Sequence, residues 1–300
     1  MTKAADEPQK DAIRSWWANA PMTYGEDHGQ AMYTLADGSV ENVELGSQRF
    51  FELADAVFYR WNEPLHRDDV PFANLFEYER FRGKRVLEVG CGMGCMSMNW
   101  ARQGARMTSI DLNPVSIAQT RRRFKVFGLE GDILEADAEK LPFDDATFDH
   151  VYSWGVVHHT SNIRVAISEM YRVLKPGGRA SLMLYNRNSI LSKILVGWAE
   201  GFINLENLSL DPLELSSRYG DGARQEGNPH TWPVTKREIR RDLMPQFTNL
   251  EIKTLGTDVP EALNTWLPGL TRRAMTTAMV KSLARRWGWS LWMTGDKPSW

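Results

Sequence analysis

Residues 86–94 read Val-Leu-Glu-Val-Gly-Cys-Gly-Met-Gly, and Asp111 stands at the end of the next apolar run, about twenty residues on. An apolar strand that feeds a glycine-rich turn, then a helix, then a second strand ending on a carboxylate is the layout of a nucleotide-binding βαβ unit. Glycines let the backbone approach a ligand without Cβ interference, and a carboxylate at that distance suits both hydroxyls of a ribose. This pattern restricts the chain to α/β folds with a parallel sheet.

The surrounding sequence alternates in agreement. Strands are expected over 85–89, 106–110, 133–136, 148–153 and 179–185. Between them lie helices over 94–103, 113–127 and 161–173. Asn113-Pro114 supplies a cap and a first-turn proline, Ser161 is read as the next cap, and Lys175-Pro176-Gly177-Gly178 as a sharp stop. The expectation is a Rossmann-like, seven-stranded, mostly parallel sheet with helices on both faces. Residues 1–82 read as an N-terminal helical cap or lid, with helices over 12–17, from Ser47, and over 74–81. Residues 83–186 read as the nucleotide-binding core and 187–249 as an inserted acceptor-side cap, with helices over 189–202 and 236–244 around a loop at 219–233. Residues 250–300 read as completion of the core by strands over 250–255 and 288–294, with helices over 261–286 between them.

Composition narrows the class. Of 300 residues, 42% are hydrophobic and 25% charged, and the net charge is −2, so the chain has no overall basic footprint for nucleic acid. Cys91 and Cys95 are the only cysteines, which gives neither a four-ligand zinc site nor a disulfide framework and fits a reducing, cytoplasmic setting. No run of residues approaches the roughly 18 apolar positions of a membrane span. Of twelve tryptophans, Trp16, Trp17 and Trp61 precede the glycine turn, while Trp198, Trp232, Trp266, Trp287, Trp289, Trp292 and Trp300 follow the core. Packing of a cap onto the core and lining of an acceptor pocket both account for such rings.

Further motifs sharpen the reading. Glu135-Ala136-Asp137-Ala138-Glu139-Lys140-Leu141-Pro142-Phe143, Phe148 through His159, and Glu169-Met170-Tyr171-Arg172-Val173-Leu174-Lys175-Pro176-Gly177-Gly178 follow the turn in order. With Glu88-x-Gly90-x-Gly92-x-Gly94 they resemble the class I S-adenosylmethionine-dependent methyltransferases, in the type-11 branch that acts on quinones, sterols and other small molecules. The resemblance is dense over about residues 84–186. It implies S-adenosyl-L-methionine as cofactor, with Glu88 at the cationic methionine end and Asp111 on the ribose. It also implies Asp137 on the adenine amino group and the Ala138 N–H on a ring nitrogen. Gly90, Cys91, Gly92, Gly94 and Leu112 would line the same cleft, with Ser153 and Trp154 at the end of the fourth core strand.

Methyl transfer from a sulfonium needs orientation first and a base only when the acceptor must lose a proton. His158 and His159, past the fourth strand, are the candidate bases, with His230 on the inserted loop and Tyr185 at the end of the fifth strand. Tyr24 and His28 are candidates for an N-terminal lid. Acids are missing from the places where catechol-type relatives hold magnesium, so no metal is expected. A small-molecule acceptor with an O, S or C nucleophile is the expected partner, and nucleic acid is not. The rivals are a lipid or quinone methyltransferase at a membrane surface and a cofactor-binding regulator without activity. Arg272, Arg273, Lys281, Arg285 and Arg286, mixed with Leu283, Trp287, Trp289 and Trp292, read either as a lid helix followed by a strand or as a membrane-facing surface.

Overall fold

The computed structural model describes residues 7–25, 31–203, 205–218, 228–256 and 277–299. The expected strands form one seven-stranded sheet. Its members are β3 (Arg85–Val89), β4 (Arg106–Asp111), β5 (Asp132–Glu135), β6 (Phe148–Trp154), β7 (Leu174–Tyr185), β8 (Thr248–Leu255) and β9 (Ser290–Asp296). The order is β5-β4-β3-β6-β7-β9-β8. The first five strands pair in parallel, while β9 runs antiparallel between β7 and β8. Strand order reverses between β3 and β6, and open sheets of this kind place ligands beyond the carboxyl ends of the strands at that point.

Helices cover the sheet: α3 (Cys95–Arg102), α4 (Pro114–Val126) and α5 (Ile163–Val173) return the chain between parallel strands. The strands are apolar on both faces because both are covered. Val151 and Leu182 join a core with Ile167 and Met170 of α5, while their neighbours Tyr152 and Met183 join a second core around Trp100 and Trp292.

The N-terminal region adds α1 (Glu7–Asn19), a short hairpin of β1 (Met32–Thr34) and β2 (Val40–Asn42), and α2 (Gln48–Trp61), capped by Ser47 as expected. The hairpin is absent from the sequence reading. Asp55 of α2 pairs with Arg123 of α4 at 2.7 Å, with the arginine fully buried over the Phe51 ring. Arg123 Nε also donates to the Met93 carbonyl at 2.7 Å, so one buried cation joins α2 and α4 to the glycine turn.

Five expectations on local structure are corrected. The helix over 74–81 is only a 3-10 turn at Tyr78–Phe81. Phe76, Tyr78 and Phe81 all pack on Trp100, and a 3.6-residue repeat would turn Phe76 to the face opposite Tyr78 and Phe81. Asn162, not Ser161, caps α5, because the Ser161 hydroxyl donates to Glu139 at 2.6 Å. The helix over 189–202 is a π-helical stretch, Leu191–Ile203, followed by α6 (Pro212–Arg218). The helix over 236–244 begins as α7 (Lys236–Glu238) and widens into a π turn, Ile239–Leu243, that brings Ile239, Leu243 and Met244 into the core. The Lys-Pro-Gly-Gly stop lies inside β7, which begins at Leu174. Of the helices expected over 261–286, α8 (Thr277–Trp287) is described, while 257–276, with Trp266, Arg272 and Arg273, lies outside the described residues, as do His28, Trp300 and loop residues 219–227.

Candidate active site

The site begins at the turns after β3 and β6. Gly90 has φ +83°, and a Cβ there would fall 2.4 Å from Val156, so only glycine lets the two turns close on each other. Gly92 also has positive φ, yet nothing lies within 4 Å of where its Cβ would be. Its backbone borders a cavity of about 1440 Å³ that runs along the carboxyl edge of the sheet.

Asp111, at the end of β4, is held by the backbone. Its two carboxylate oxygens accept from the N–H groups of Gly92 and Asn113, both at 2.9 Å. Burial pushes its carboxyl up, and those N–H groups oppose the shift. Each oxygen keeps a second lone pair, which suits the two hydroxyls of a ribose. Glu88 is 1% exposed and also lines the cavity. Burial pushes its carboxyl up to about 8 against the bond it accepts from the Ser97 hydroxyl. A buried acid beside a cavity, poised to ionise near neutrality, is matched to a cation. The open cradle at Gly92, the anchored Asp111 and this acid fit the ribose and methionine ends of S-adenosylmethionine.

Asp137 and Ala138 line the other end. Asp137 accepts from the Glu139 N–H at 2.8 Å and pairs with Lys10 of α1 at 2.8 Å. The same helix accepts from Asn113 at the Trp17 carbonyl, 2.8 Å, and places the Trp17 ring 5.4 Å from that of His159. Thus α1 crosses the donor side of the cavity. Sequence reasoning missed Lys10, because nothing local marks a partner 127 positions away. Cys91, Leu112 and Trp154 line the cavity as expected. Gly94 instead caps α3, and the Ser153 hydroxyl donates to the Val89 carbonyl at 2.8 Å, tying β6 to β3; neither residue lines the cavity.

Of the expected bases His158 and His159 meet at Tyr185, with His230 behind His159, and they face different ways. His159 and Tyr185 line the cavity, while His158 and His230 do not. His159 Nδ1 meets the His230 carbonyl at 2.9 Å. A carbonyl only accepts, so Nδ1 carries the proton and the basic lone pair is on Nε2. His158 is fully buried with its ring 4.2 Å from that of Tyr185, and burial, then the charges of His159 and His230, hold it well below the usual imidazole range. His230 presents its ring to Gln9 of α1 at 3.2 Å, and burial lowers it too.

Beyond the donor side the cavity is largely apolar, walled by Tyr24, Phe58, Trp61, Met96, Trp154 and Trp289. Both readings of the tryptophans therefore hold, for different residues: Trp17, Trp61, Trp154 and Trp289 line the cavity, while Trp100 and Trp292 pack in the core. The volume exceeds the roughly 300–1,000 Å³ of a typical small-molecule site, which leaves room for a second molecule beside the donor. Thr254 and Arg285 also line it, and neither was singled out as a site residue.

Comparison with known proteins agrees with this geometry. A family model described as a methyltransferase domain matches residues 87–182. The fatty-acid O-methyltransferase of Mycolicibacterium smegmatis is 44% identical over 98 residues, covering 32% of this chain and 35% of that protein. The phthiotriol/phenolphthiotriol dimycocerosates methyltransferase of Mycobacterium tuberculosis is 41% identical over 141 residues, 41% of this chain and 52% of that protein. The chain thus spans about half or less of the length of these curated relatives. A solved S-adenosylmethionine-dependent methyltransferase from Methanosarcina mazei shares the fold at TM-score 0.53 and 18% identity, covering 75% of this chain and 98% of that one. Residues 87–182 thus match a methyltransferase domain, set in a chain with the class I methyltransferase fold.

Proposed function

We propose that this chain transfers a methyl group from S-adenosyl-L-methionine to an apolar, small-molecule or lipid-like acceptor. The observation that carries the reading is one cavity with two unlike halves, a carboxylate-anchored donor cleft and an aromatic chamber beside it. The names of the relatives, which act on a fatty acid and on phthiotriol dimycocerosates, support an apolar acceptor. In this reading Asp111 holds the ribose, Glu88 the ammonium, and Asp137 with the Ala138 N–H the adenine.

When bound, the sulfonium donor supplies an activated methyl carbon for in-line displacement by the acceptor. The protein's part is orientation, which contributes about 7–11 kcal/mol in well-aligned reactions. Trp154, Met183 and Tyr185 border the chamber at the strand ends and keep water from the acceptor. In this reading His159, at the cavity wall with its lone pair on a buried Nε2, takes the proton of an O or S nucleophile. His158 and His230 act behind it, as packing for Tyr185 and as the carbonyl that fixes the His159 tautomer.

The test is release of the demethylated donor across a panel of fatty acids, phenols, quinones, thiols and amines. Turnover confined to the apolar members supports the reading, and a folded, donor-binding protein inactive on all of them refutes it. A second reading, uptake of the acceptor from a membrane surface, is favoured by the exposed Phe202, Ile203, Leu205 and Leu208 in the insertion after β7. Among the described residues no helix is long and apolar enough to cross a membrane. Co-sedimentation with anionic vesicles, lost in L205S/L208S, tests that contact.

A further inference from the structure

The end of the chamber away from the donor is not uniformly apolar. The last residues of β8 and the final turn of α8 meet there. A Cβ on Gly288 would fall 2.2 Å from the Leu255 carbonyl and 2.5 Å from that of Ala284. Thr254 and Arg285 are the next residues along each segment, and both line the cavity. Thr254 is 8% exposed, and its hydroxyl is buried with no hydrogen-bond partner among the described residues. Such a group is costly unless something arrives to pair with it, and rotation about χ1 turns the hydroxyl into the position of the methyl. Arg285 is exposed, lines the cavity, and forms no ion pair with a carboxylate among the described residues. On the α2 side of the cavity Arg60 and Glu63 carry opposite charges, so Arg285 sets the sign at this end.

A hydroxyl seeking an acceptor beside a guanidinium with no carboxylate partner among the described residues is a set of donors for an oxyanion. The sheet register gives its distance from the reaction centre. Tyr185 pairs with Ser290, and Ser290 with Leu255, so the two places are two strand spacings apart, about 10 Å. The Trp289 ring lies 4.5 Å from that of Tyr185 along this path and offers an apolar face to whatever spans it.

Resting on the methyl-transfer reading above, we propose that the acceptor is an amphiphile whose oxyanion, a carboxylate or a phosphate, is anchored by Thr254 and Arg285. Its apolar body lies along Trp289 and delivers the nucleophile near Tyr185 and His159. Thr254 and Arg285 then decide which acceptors are taken, without touching the donor.

The experiment uses the whole chain loaded with S-adenosylhomocysteine and follows tryptophan fluorescence as decanoate, decyl phosphate or decanol is added as monomer. The wild type is expected to bind at least one anionic probe roughly tenfold or more tightly than decanol, as for a hydrogen bond to a charged group. The better of the two identifies the anion as carboxylate or phosphate. R285Q brings that ratio to within about threefold, and T254V weakens the anionic probes while leaving decanol unchanged. A wild type without preference for either anion, or an R285Q protein that keeps the full preference, overturns the proposal. Calorimetric titration with S-adenosylhomocysteine is run in parallel. Its failure in the wild type counts against methyl transfer itself, and the probe ratios are then read on the free protein.

Discussion

Raising the pH from 6 to 8 should strengthen donor binding, because Glu88 must lose its proton to meet a cation. In the free protein burial places this carboxyl at about 8. Contact with the ammonium of the donor favours the ionised form, so binding expels a proton wherever the free acid still carries one. If the complex holds Glu88 fully ionised, the affinity is reduced by 1 + 10^(8 − pH). That is about 100-fold at pH 6, about tenfold at pH 7 and about twofold at pH 8, a rise of about fiftyfold across the range. Isothermal calorimetry with S-adenosylhomocysteine in two buffers of different ionisation enthalpy measures both the affinity and the proton count. The expected result is close to one proton released at pH 6–7 and none in E88Q, whose profile flattens. An affinity independent of pH, with no proton exchanged, would refute the pairing of Glu88 with the ammonium.

Other consequences follow from named contacts. Asp111→Ala removes the acceptor for two ribose hydroxyls and frees the Gly92 N–H, so donor affinity by calorimetry should fall roughly 30- to 150-fold. Without donor, the raised Glu88 carboxyl makes stability fully present below the unfolded value of 4.5 and lost as pH rises through about 8. The thermal midpoint of E88Q should therefore lose that part of the pH dependence. His159→Ala should lower kcat with little change in donor affinity, whereas His158→Ala should lower the melting temperature first, since its ring is buried against Tyr185; equal kinetic losses would contradict the assignment. Asp55→Ala leaves Arg123 buried and unpaired and should cost about 3–5 kcal/mol in urea denaturation, partly recovered by adding R123M.

The parts of the fold legible in the sequence are those set by neighbours in the chain. Gly90 and Gly92 both take a positive φ in the turn that follows β3, and Asp111 ends the next strand about twenty residues on. That is why the sheet, and the place of Asp111 at the cavity edge, could be read directly. The residues that escaped are placed by packing. Phe76, Tyr78 and Phe81 depart from the expected helix because Trp100 gathers all three rings. His158 and His159 are indistinguishable as adjacent letters, and only the 3-10 turn Val157–His159 decides which one borders the cavity. Lys10, Thr254 and Arg285 reach the site from both ends of the chain, where no local motif marks them.

The central claim is that the donor lies on Asp111 and Glu88 with its sulfur turned toward the aromatic chamber. The most direct test is a crystal structure of the chain with S-adenosylhomocysteine. Both ribose hydroxyls within hydrogen-bonding distance of Asp111, the ammonium against Glu88 and the sulfur facing Tyr185 are the predicted result. A ribose held elsewhere, or a thioether pointing away from Tyr185, would contradict the account.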